Sequence, residues 1–214
     1  MRAMQKIKKD LAAVFRHDPA ARSKAEVILT YSGFHALVMY RFAHFLHIHR
    51  YKLLARIVSQ FCKFLTGIEI HPGAKIGYGV VIDHGEGVVI GETAEVGNNV
   101  LIYQGVTLGG TGKDKGKRHP TVEDGVMICS GAKVLGPFTV GKNARIGAGS
   151  IVLKEVPPNA TVVGVPGRIV KIGNERVDDL DQNLPDPTGD DIKRLEARIA
   201  ALEEKLGEQK NHKL

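Results

Sequence analysis

Residues 70–108 read IHPGAKIGYGVVIDHGEGVVIGETAEVGNNVLIYQGVTL, and residues 122–156 read VEDGVMICSGAKVLGPFTVGKNARIGAGSIVLKEV. Within both stretches an aliphatic residue recurs at every sixth position, with one interval of eight and one longer interval between the runs. These residues are Ile70, Ile76, Ile82, Ile90, Val96, Ile102, Leu108, Val122, Ile128, Val134, Val140, Ile146 and Val152. A period of six fits neither a helix nor the alternation of a plain strand, so the chain carries a repeat architecture.

A repeat of six predicts short strands that turn a corner after each hexad and build a prism. Three hexads make one coil, the aliphatic residue points inward, and coils stack about 4.8 Å apart, the usual strand spacing. Glycine often follows the aliphatic residue and suits corners because it accepts positive φ. We predict a mainly β fold: a parallel β-helix of about four coils at 66–173, with capped ends. An ordinary β-sandwich would show irregular strand spacing instead.

The length, composition and cysteine count of the chain limit the class of protein to which it can belong. The chain has 214 residues, 43% of them hydrophobic, which allows one domain with appendages and a packed core. No apolar run approaches the roughly 18 residues that cross a bilayer, and the N-terminus lacks the layout of a signal peptide. Cys62 and Cys129 are too few for a disulfide framework. We therefore expect a cytoplasmic protein with no membrane partner.

Residues 1–65 are predicted to form an α-helical N-terminal domain that caps the prism. Their apolar residues follow helical spacing, with breaks at Asp18-Pro19 and Ser32-Gly33. Asp18 could cap the next helix, with Pro19 at its first position. The segment holds twelve Lys and Arg against three acidic residues. Since no nucleic-acid-binding module accompanies this charge, we expect a solvated basic face and no nucleic-acid partner.

The six-residue spacing of the aliphatic residues is interrupted by two insertions, and each insertion contains a histidine. The first is IDHGEGVV at 82–89, and the second is the basic, glycine-rich GGTGKDKGKRHPT at 109–121. A solenoid accommodates insertions as loops, and such loops commonly carry function. The two insertions are close enough along the chain to face one groove, which makes them the predicted functional region.

Beyond the hexads, Pro157-Pro158 and the following glycines are expected to end the regular coils. Residues 174–190 are polar with two prolines and predict a linker. Residues 191–210 predict an amphipathic helix, because apolar residues recur with the 3-4-3-4 spacing of a heptad seam. They are Ile192, Leu195, Ile199, Leu202 and Leu206. This helix either zips together an oligomer formed by the prism or folds back alone.

Particular motifs within this frame resemble those of bacterial serine O-acetyltransferases, a family of hexapeptide-repeat acyltransferases. They are DH at 83–84, GETA at 91–94, GVTLGGTGK at 105–113, RHP at 118–120 and GVPGRIV at 164–170. The resemblance extends from about residue 18 to residue 171. It implies a left-handed β-helix that transfers an acetyl group from acetyl-CoA to the hydroxyl of L-serine, the first step of cysteine biosynthesis. It implies no metal.

The resemblance assigns roles to residues in both insertions. His84 matches the general base, and histidine suits that task because it changes charge near neutral pH. Glu69 matches the carboxylate that orients this imidazole, where some relatives carry aspartate. The remaining matches concern serine, a zwitterion. Arg118 and His119 match the residues that address its carboxylate, and Asp18 and Asp83 match those that address its ammonium group.

Other positions match contacts to CoA. Gly110 and Ser130 match residues that contact the pantetheine arm. Lys133, Lys154 and Arg168 are candidates for phosphate contacts by charge and location, or are ordinary surface cations. Relatives form trimers with the active site between prisms and are inhibited by L-cysteine, so we expect a homotrimer and cysteine inhibition. Some relatives bind O-acetylserine sulfhydrylase through a C-terminal isoleucine; this chain ends in Leu214, which argues against that partner.

Three rival functions remain open from the sequence. The same scaffold could acetylate another hydroxyl, such as that of a sugar or an antibiotic, but such an acceptor would not require Asp18, Asp83 and Arg118 together. It could be a metal hydrase, with His71 joining His84 and His119 as zinc ligands. It could also be a non-catalytic scaffold that binds the sulfhydrylase.

Overall fold

The computed structural model describes residues 3–112, 115–173, 175–176, 194–200 and 202–203. The chain divides into two compact units, Met1–Leu180 and Asp181–Leu214. In the second unit, residues 194–200 and 202–203 are helical. Leu195, Ile199 and Leu202 are exposed there. The other two residues of the expected heptad seam, and the expected linker at 174–190 apart from residues 175–176, lie outside the described residues.

Four helices open the first unit. They are α1 (Ala3–His17), α2 (Lys24–Thr30), α3 (Ser32–Ile48) and α4 (Lys52–Thr66). The suggestion that Asp18 caps the second helix is wrong. Ser23 is the N-cap of α2, and its hydroxyl accepts from the Glu26 N–H at 3.1 Å. The Asp18 carboxylate is therefore left for other contacts. The α4 helix is capped at its C-terminal end by Gly67, which adopts the left-handed conformation with φ of 70°.

Strands fill the rest of the unit. They are β1 (Glu69–Ile70), β2 (Lys75–Ile76), β3 (Val81–Asp83), β4 (Val89–Ile90), β5 (Glu95–Val96), β6 (Leu101–Tyr103), β7 (Thr107–Gly109), β8 (Thr121–Val122), β9 (Met127–Ile128), β10 (Lys133–Leu135), β11 (Thr139–Val140), β12 (Arg145–Ile146), β13 (Ile151–Val152), β14 (Ala160–Val163), β15 (Arg168–Ile172) and β16 (Glu175–Arg176). Sheet A has the order β1-β4-β7-β10-β13, and sheet B has the order β11-β8-β5-β2. Sheet C has the order β16-β15-β14-β12-β9-β6-β3.

Successive strands from β1 to β13 pass from sheet A to sheet B to sheet C and back, and their neighbours are parallel. This is the predicted β-helix. Sheet A contains five strands, so the solenoid has about five coils rather than about four. Pro157-Pro158 does not end the coils, because β14 follows and pairs parallel with β12. The coils end at the glycines that follow, since Gly164 and Gly167 lie between β14 and the antiparallel β15. The antiparallel strand β15 then covers the last coil.

The inward aliphatic residues form one buried core. Ile90, Ile102, Leu108, Ile128 and Ile146 are each at most 1% exposed. Ala36, Leu37 and Tyr40 of α3 and Cys62 of α4 belong to the same cluster. The helices therefore pack against the first coil and shield its apolar interior from water. No helix among the described residues combines the length and the apolar character needed to cross a bilayer.

Two edges of the prism carry the residues expected to form the site. The His84 edge joins sheet C to sheet A and comprises residues 84–88, 104–106, 129–132 and 147–150. The His119 edge joins sheet A to sheet B and comprises, among the described residues, 91–94, 110–112, 115–120 and 136–138. The first insertion thus lies on one edge and the second on the other. Sheet A is the face between them.

Candidate functional site

His84 sits at the start of its edge in a constrained backbone conformation. Its φ is 56°, in the left-handed region that few residues other than glycine adopt. Its N–H donates to Asp83 Oδ1 at 3.0 Å, and its carbonyl accepts from Ser32 Oγ at 3.1 Å. Gly85 follows with φ of 77°, and a Cβ there would lie 2.4 Å from Ile68 Cδ1. These contacts fix the backbone of His84 while its side chain stays exposed.

The helical domain brings Asp18 to this edge. The Tyr31 hydroxyl donates to Asp18 Oδ2 at 2.6 Å, and the Ala20 N–H donates to Asp18 Oδ1 at 2.7 Å. The hydrogen bond from Tyr31 to Asp18 raises the pKa of Tyr31 to about 12, and the nearby charge of Asp83 acts in the same direction. Asp18 and Asp83 therefore both lie close to Tyr31. Asp83 also accepts from the backbone N–H of His84, so two carboxylates, an arrangement that suits an ammonium group, lie near the start of this edge.

A close approach of α3 to β3 allows these side chains to lie near one another. Gly33 lies so near β3 that a Cβ on it would be 1.9 Å from the Ile82 carbonyl oxygen. Only glycine permits this contact, which sets the adjacent Ser32 against His84. The expected helix break lies one residue before the SG pair, at Tyr31 between α2 and α3, and the SG pair itself forms the first turn of α3.

Thr93 cradles the loop that carries Arg118 and His119 at the other edge. Its Oγ1 accepts from the N–H groups of Arg118 and His119, each at 3.1 Å. The Thr93 N–H lies 3.2 Å from His119 Nδ1, and the Thr93 hydroxyl lies 2.8 Å from the same atom. A backbone N–H can only donate, so Nδ1 is the acceptor and the neutral ring carries its proton on Nε2. His119 therefore offers a defined Nε2–H donor.

Charge and burial shape this second group. Arg118 pairs with Glu92, with Nη2 and Oε2 2.7 Å apart, and this bond lowers the pKa of Glu92. The pKa of His119 is lowered mainly by desolvation and then by the charge of Arg118. His119 is only 8% exposed, and a Cβ on Gly91 would lie 2.0 Å from its Nε2. A guanidinium beside a neutral imidazole donor suits a carboxylate ligand.

Glu69 lies on sheet A, apart from these contacts. Its carboxylate accepts from Lys63 Nζ at 2.6 Å, and this hydrogen bond is the main cause that lowers the pKa of Glu69. Among the described contacts its partner is thus Lys63 rather than His84. The role of Glu69 as the carboxylate partner of the base stays a prediction.

The residues expected to contact CoA divide between the two edges. Ser130 lies on the His84 edge, where its carbonyl accepts from the Gly149 N–H at 2.9 Å. Lys133 begins β10 beside it and donates to the Gly105 carbonyl at 2.5 Å and to Thr107 Oγ1 at 3.1 Å. Gly110 lies on the His119 edge. A Cβ on Gly110 would be 2.9 Å from the Arg118 carbonyl.

The two remaining candidates for phosphate contacts are both exposed. Lys154 follows β13, and Arg168 begins β15 near the last coil. Their contacts with a ligand stay predictions. The part of the chain that the structure describes contains no group of three His, Cys, Asp or Glu placed to hold a metal ion.

Three residues that take part in the candidate site were not predicted from the sequence: Tyr31, Glu92 and Thr93. Glu92 and Thr93 belong to the GETA motif, which supported the family resemblance, but the motif did not assign a role to either residue. Tyr31 left no such signal, because its contact with Asp18 depends on the fold of α2. The structure thus assembles Asp18, Asp83 and His84 on one edge, and Arg118 and His119 on another.

Family models match both parts of the chain. The model described as "Serine acetyltransferase, N-terminal" matches residues 1–38, and "Bacterial transferase hexapeptide (six repeats)" matches residues 119–154. Among curated proteins, the serine acetyltransferase of Bacillus subtilis is 57% identical over 206 residues, which is 95% of each chain.

Several solved structures of serine acetyltransferases are similar to this chain. The serine acetyltransferase of Neisseria gonorrhoeae in complex with serine has a TM-score of 0.76 at 44% identity and covers 78% of this chain and 69% of its own. A serine acetyltransferase in complex with cysteine has a TM-score of 0.77 at 48% identity, covering 78% and 70%. The Brucella abortus enzyme in complex with coenzyme A has a TM-score of 0.77 at 43% identity, covering 81% and 69%. This chain belongs to the serine acetyltransferase family.

Proposed function

We propose that this chain acetylates L-serine with acetyl-CoA, giving O-acetyl-L-serine and CoA, the first step of cysteine biosynthesis in the cytoplasm. The observation that carries the proposal is that Asp18 and Asp83 both lie close to Tyr31 and that Asp83 accepts from the N–H of His84 on the same edge. The high identity to curated serine acetyltransferases over nearly the whole chain supports it. An acceptor without an amine, such as a neutral sugar, would leave these carboxylates without an ammonium partner.

The reaction needs a base at the serine hydroxyl. We assign this role to His84, which takes the hydroxyl proton while the serine oxygen bonds to the thioester carbonyl carbon. The carbon–sulfur bond then breaks, and the imidazolium returns the proton to the CoA sulfur. Asp18 and Asp83 hold the ammonium group of serine. Glu69 is proposed to stabilise the imidazolium.

The serine carboxylate would bind at the other group. Arg118 supplies a charge-assisted donor, and His119 supplies Nε2–H. These residues lie on a different edge of the prism from His84, so one serine molecule can meet both groups only between two chains. We therefore propose a homotrimer with one site at each contact between prisms. Gly110, Ser130, Lys133, Lys154 and Arg168 would line the CoA groove.

L-Cysteine carries the same ammonium and carboxylate groups as L-serine. A relative has been solved with cysteine bound. We propose that cysteine competes for the serine site of this chain, because every group assigned to the amino acid backbone is present. Its thiol would then occupy the place of the reacting hydroxyl.

The test measures thiol release from acetyl-CoA with and without L-serine. Release should require serine and fall by about 10²–10⁴ in His84→Ala, as is typical for the loss of a general base. His49→Ala is the matched control, because His49 is exposed at the end of α3 and its side chain contacts the carbonyl and the ring of Phe45. Serine-independent release, or an unimpaired His84→Ala, would overturn the assignment.

A further inference from the structure

The two carboxylates of the candidate ammonium site are held by different parts of the fold. Asp83 ends β3, so the sheet places it, and its Oδ1 accepts from the N–H of His84 at 3.0 Å. Asp18 instead lies off the prism, in the short segment between α1 and α2. If both carboxylates are to meet one ammonium group, Asp18 needs a contact that ties it to the His84 edge.

Two hydrogen bonds hold the Asp18 carboxylate, one on each oxygen. The Ala20 N–H donates to Oδ1 at 2.7 Å, and this bond orients the carboxylate within its own segment. The Tyr31 hydroxyl donates to Oδ2 at 2.6 Å and connects the carboxylate to another part of the chain. A carboxylate can accept roughly four hydrogen bonds, so both oxygens keep the capacity to bind a ligand.

Tyr31 stands at the junction of α2 and α3, where hydrogen bonds fix its backbone in both directions. Its N–H donates to the Val27 carbonyl at 3.2 Å, and its carbonyl accepts from the His35 N–H at 3.0 Å. The next residue, Ser32, donates through Oγ to the His84 carbonyl at 3.1 Å. Tyr31 therefore connects the carboxylate that it holds to the edge that carries the proposed base.

The ring of Tyr31 is also held by packing at the joint between the helices and sheet C. It packs against a buried cluster that comprises Ala13, Val14, Val27, Phe34, Val81 and Leu101. Tyr103, which pairs with Asp83 in sheet C, packs against the same cluster. Because the ring is fixed on this joint, the Tyr31 hydroxyl has a defined position relative to both carboxylates.

The Tyr31 hydroxyl is a neutral donor. Its hydrogen bond to Asp18 is the main cause that raises the pKa of Tyr31 to about 12, with desolvation and the charges of Asp18, Glu26 and Asp83 acting in the same direction. The phenol consequently stays protonated at neutral pH. A lysine or arginine in its place would neutralise the carboxylate and repel an ammonium ligand. The phenol holds Asp18 without removing the charge that such a ligand requires.

We propose that Tyr31 is a positioning residue for serine, which holds Asp18 beside Asp83 so that the two carboxylates bind the ammonium group together. This inference rests on the proposed function, because the ligand is the ammonium group of L-serine. Tyr31 acts through Asp18 and not on the reacting atoms. Its loss therefore weakens the binding of serine and leaves proton transfer at His84 intact.

The test compares Tyr31→Phe, Asp18→Ala and the double variant in serine-dependent CoA release. Tyr31→Phe removes the hydroxyl alone, so KM for serine should rise roughly tenfold, while kcat and KM for acetyl-CoA stay within about twofold of wild type. Asp18→Ala should raise KM for serine further. The double variant should match Asp18→Ala, because the residue at position 31 then has no carboxylate to hold.

Tyr51→Phe is the matched control and should keep the kinetics of wild type, because Tyr51 is a tyrosine before α4 that is 63% exposed. Circular dichroism would establish that the variants retain their helices. If Tyr31→Phe does not fold, Tyr31→His takes its place, since an imidazole keeps a polar ring but is shorter than a phenol. It should show the same dependence on Asp18.

The outcomes separate this inference from the proposed function. An active wild type in which Tyr31→Phe leaves KM for serine unchanged would overturn the role of Tyr31. Effects that multiply in the double variant would also overturn it, because Tyr31 would then act apart from Asp18. A wild type without serine-dependent release would instead overturn the proposed function, and the role of Tyr31 with it.

Discussion

The hydroxyl of Thr93 holds the predicted carboxylate-binding residues in place. Thr93→Val keeps the shape of the side chain but leaves the Arg118 and His119 N–H groups without their acceptor. We expect KM for serine to rise roughly tenfold with a smaller change in kcat, because binding rather than proton transfer is disturbed. Thr93→Ser should restore most of the affinity. Steady-state kinetics would check this, and equal damage in both variants would contradict it.

His71 predicts a dependence of stability on pH. Its Nδ1 accepts from the Gly73 N–H at 3.0 Å, and desolvation, with help from Arg56, lowers its pKa to about 4. The unfolded chain, with the ordinary pKa near 6.5, binds this proton more readily. The contribution to stability is therefore complete above about pH 6.5 and is lost as pH falls toward 4.

His71→Asn removes this titration, because an asparagine side chain does not gain a charge in this pH range. Its side-chain oxygen can still accept from the Gly73 N–H, so the hydrogen bond is kept. Between pH 7 and 5, wild type should lose about 1–2 kcal/mol more unfolding free energy than the variant, after allowance for solvent screening. Urea denaturation at several pH values measures the difference. Parallel pH curves for the two proteins would rule out His71 as the cause.

The sequence predicts which residues belong to the candidate site where a motif contains them, but it does not predict the contacts between those residues. Asp18 and Asp83 were expected to meet, and both lie near Tyr31. The cradle formed by Thr93 was not foreseen, because it depends on the register between β5 and β8 across the second insertion. That register pairs Glu95 with Thr121 and becomes visible only in the folded coil.

At the scale of elements, the contact between α3 and β3 is the joint that positions the base. Gly33→Ala would force a methyl group against the Ile82 carbonyl, so α3 must shift. We expect a loss of about 1–3 kcal/mol in unfolding free energy, typical of overpacking, together with reduced activity as Ser32 leaves His84.

Gly116→Ala is the control for Gly33→Ala, because a Cβ on Gly116 meets open space. Thermal melts and serine-dependent CoA release would be compared for both variants. Unchanged stability in Gly33→Ala would mean that α3 is free to move away from β3 without cost, contrary to the tight contact described here.

The hexad count predicted the solenoid because inward aliphatic residues are obligatory at every strand. It predicts about four coils rather than about five because it treats Pro157-Pro158 as the end of the coils. Pro157 and Pro158 fall at a corner, where the Asn159 N–H donates to the Lys142 carbonyl at 2.8 Å and continues the stack. A proline at a corner removes no ladder hydrogen bond, so the coil proceeds into β14.

At the scale of the molecule, a buried ion pair fastens the helices to the prism. Arg41 of α3 donates through Nε to Asp10 of α1 at 3.1 Å and through Nη2 to the Gly77 carbonyl at 2.9 Å. Asp10 Oδ1 in turn accepts from the Val80 N–H at 3.2 Å. One pair thus joins α1, α3 and the corner before β3. This arrangement keeps α3, with Ser32 at its start and Tyr31 directly before it, in register with His84.

The division of the site between two edges makes a prediction about mixtures of variants. His84→Ala should be inactive through loss of the base, and Arg118→Ala should bind serine poorly. A mixed ring contains contacts at which the intact His84 of one chain faces the intact Arg118 of its neighbour. Dissociation and reassembly of equal amounts should therefore restore activity at roughly a quarter of the sites, as expected for random pairing in a ring.

Each variant carried alone through the same procedure is the control and should stay inactive. Unlike the mixture, it has no contact with both groups intact. Serine-dependent CoA release gives the readout, and its recovery should be absent when the two variants are mixed without dissociation. If one chain contained the whole site, every subunit would carry a defect and reassembly would restore nothing. Recovery after reassembly would therefore place His84 and Arg118 of one working site on different chains.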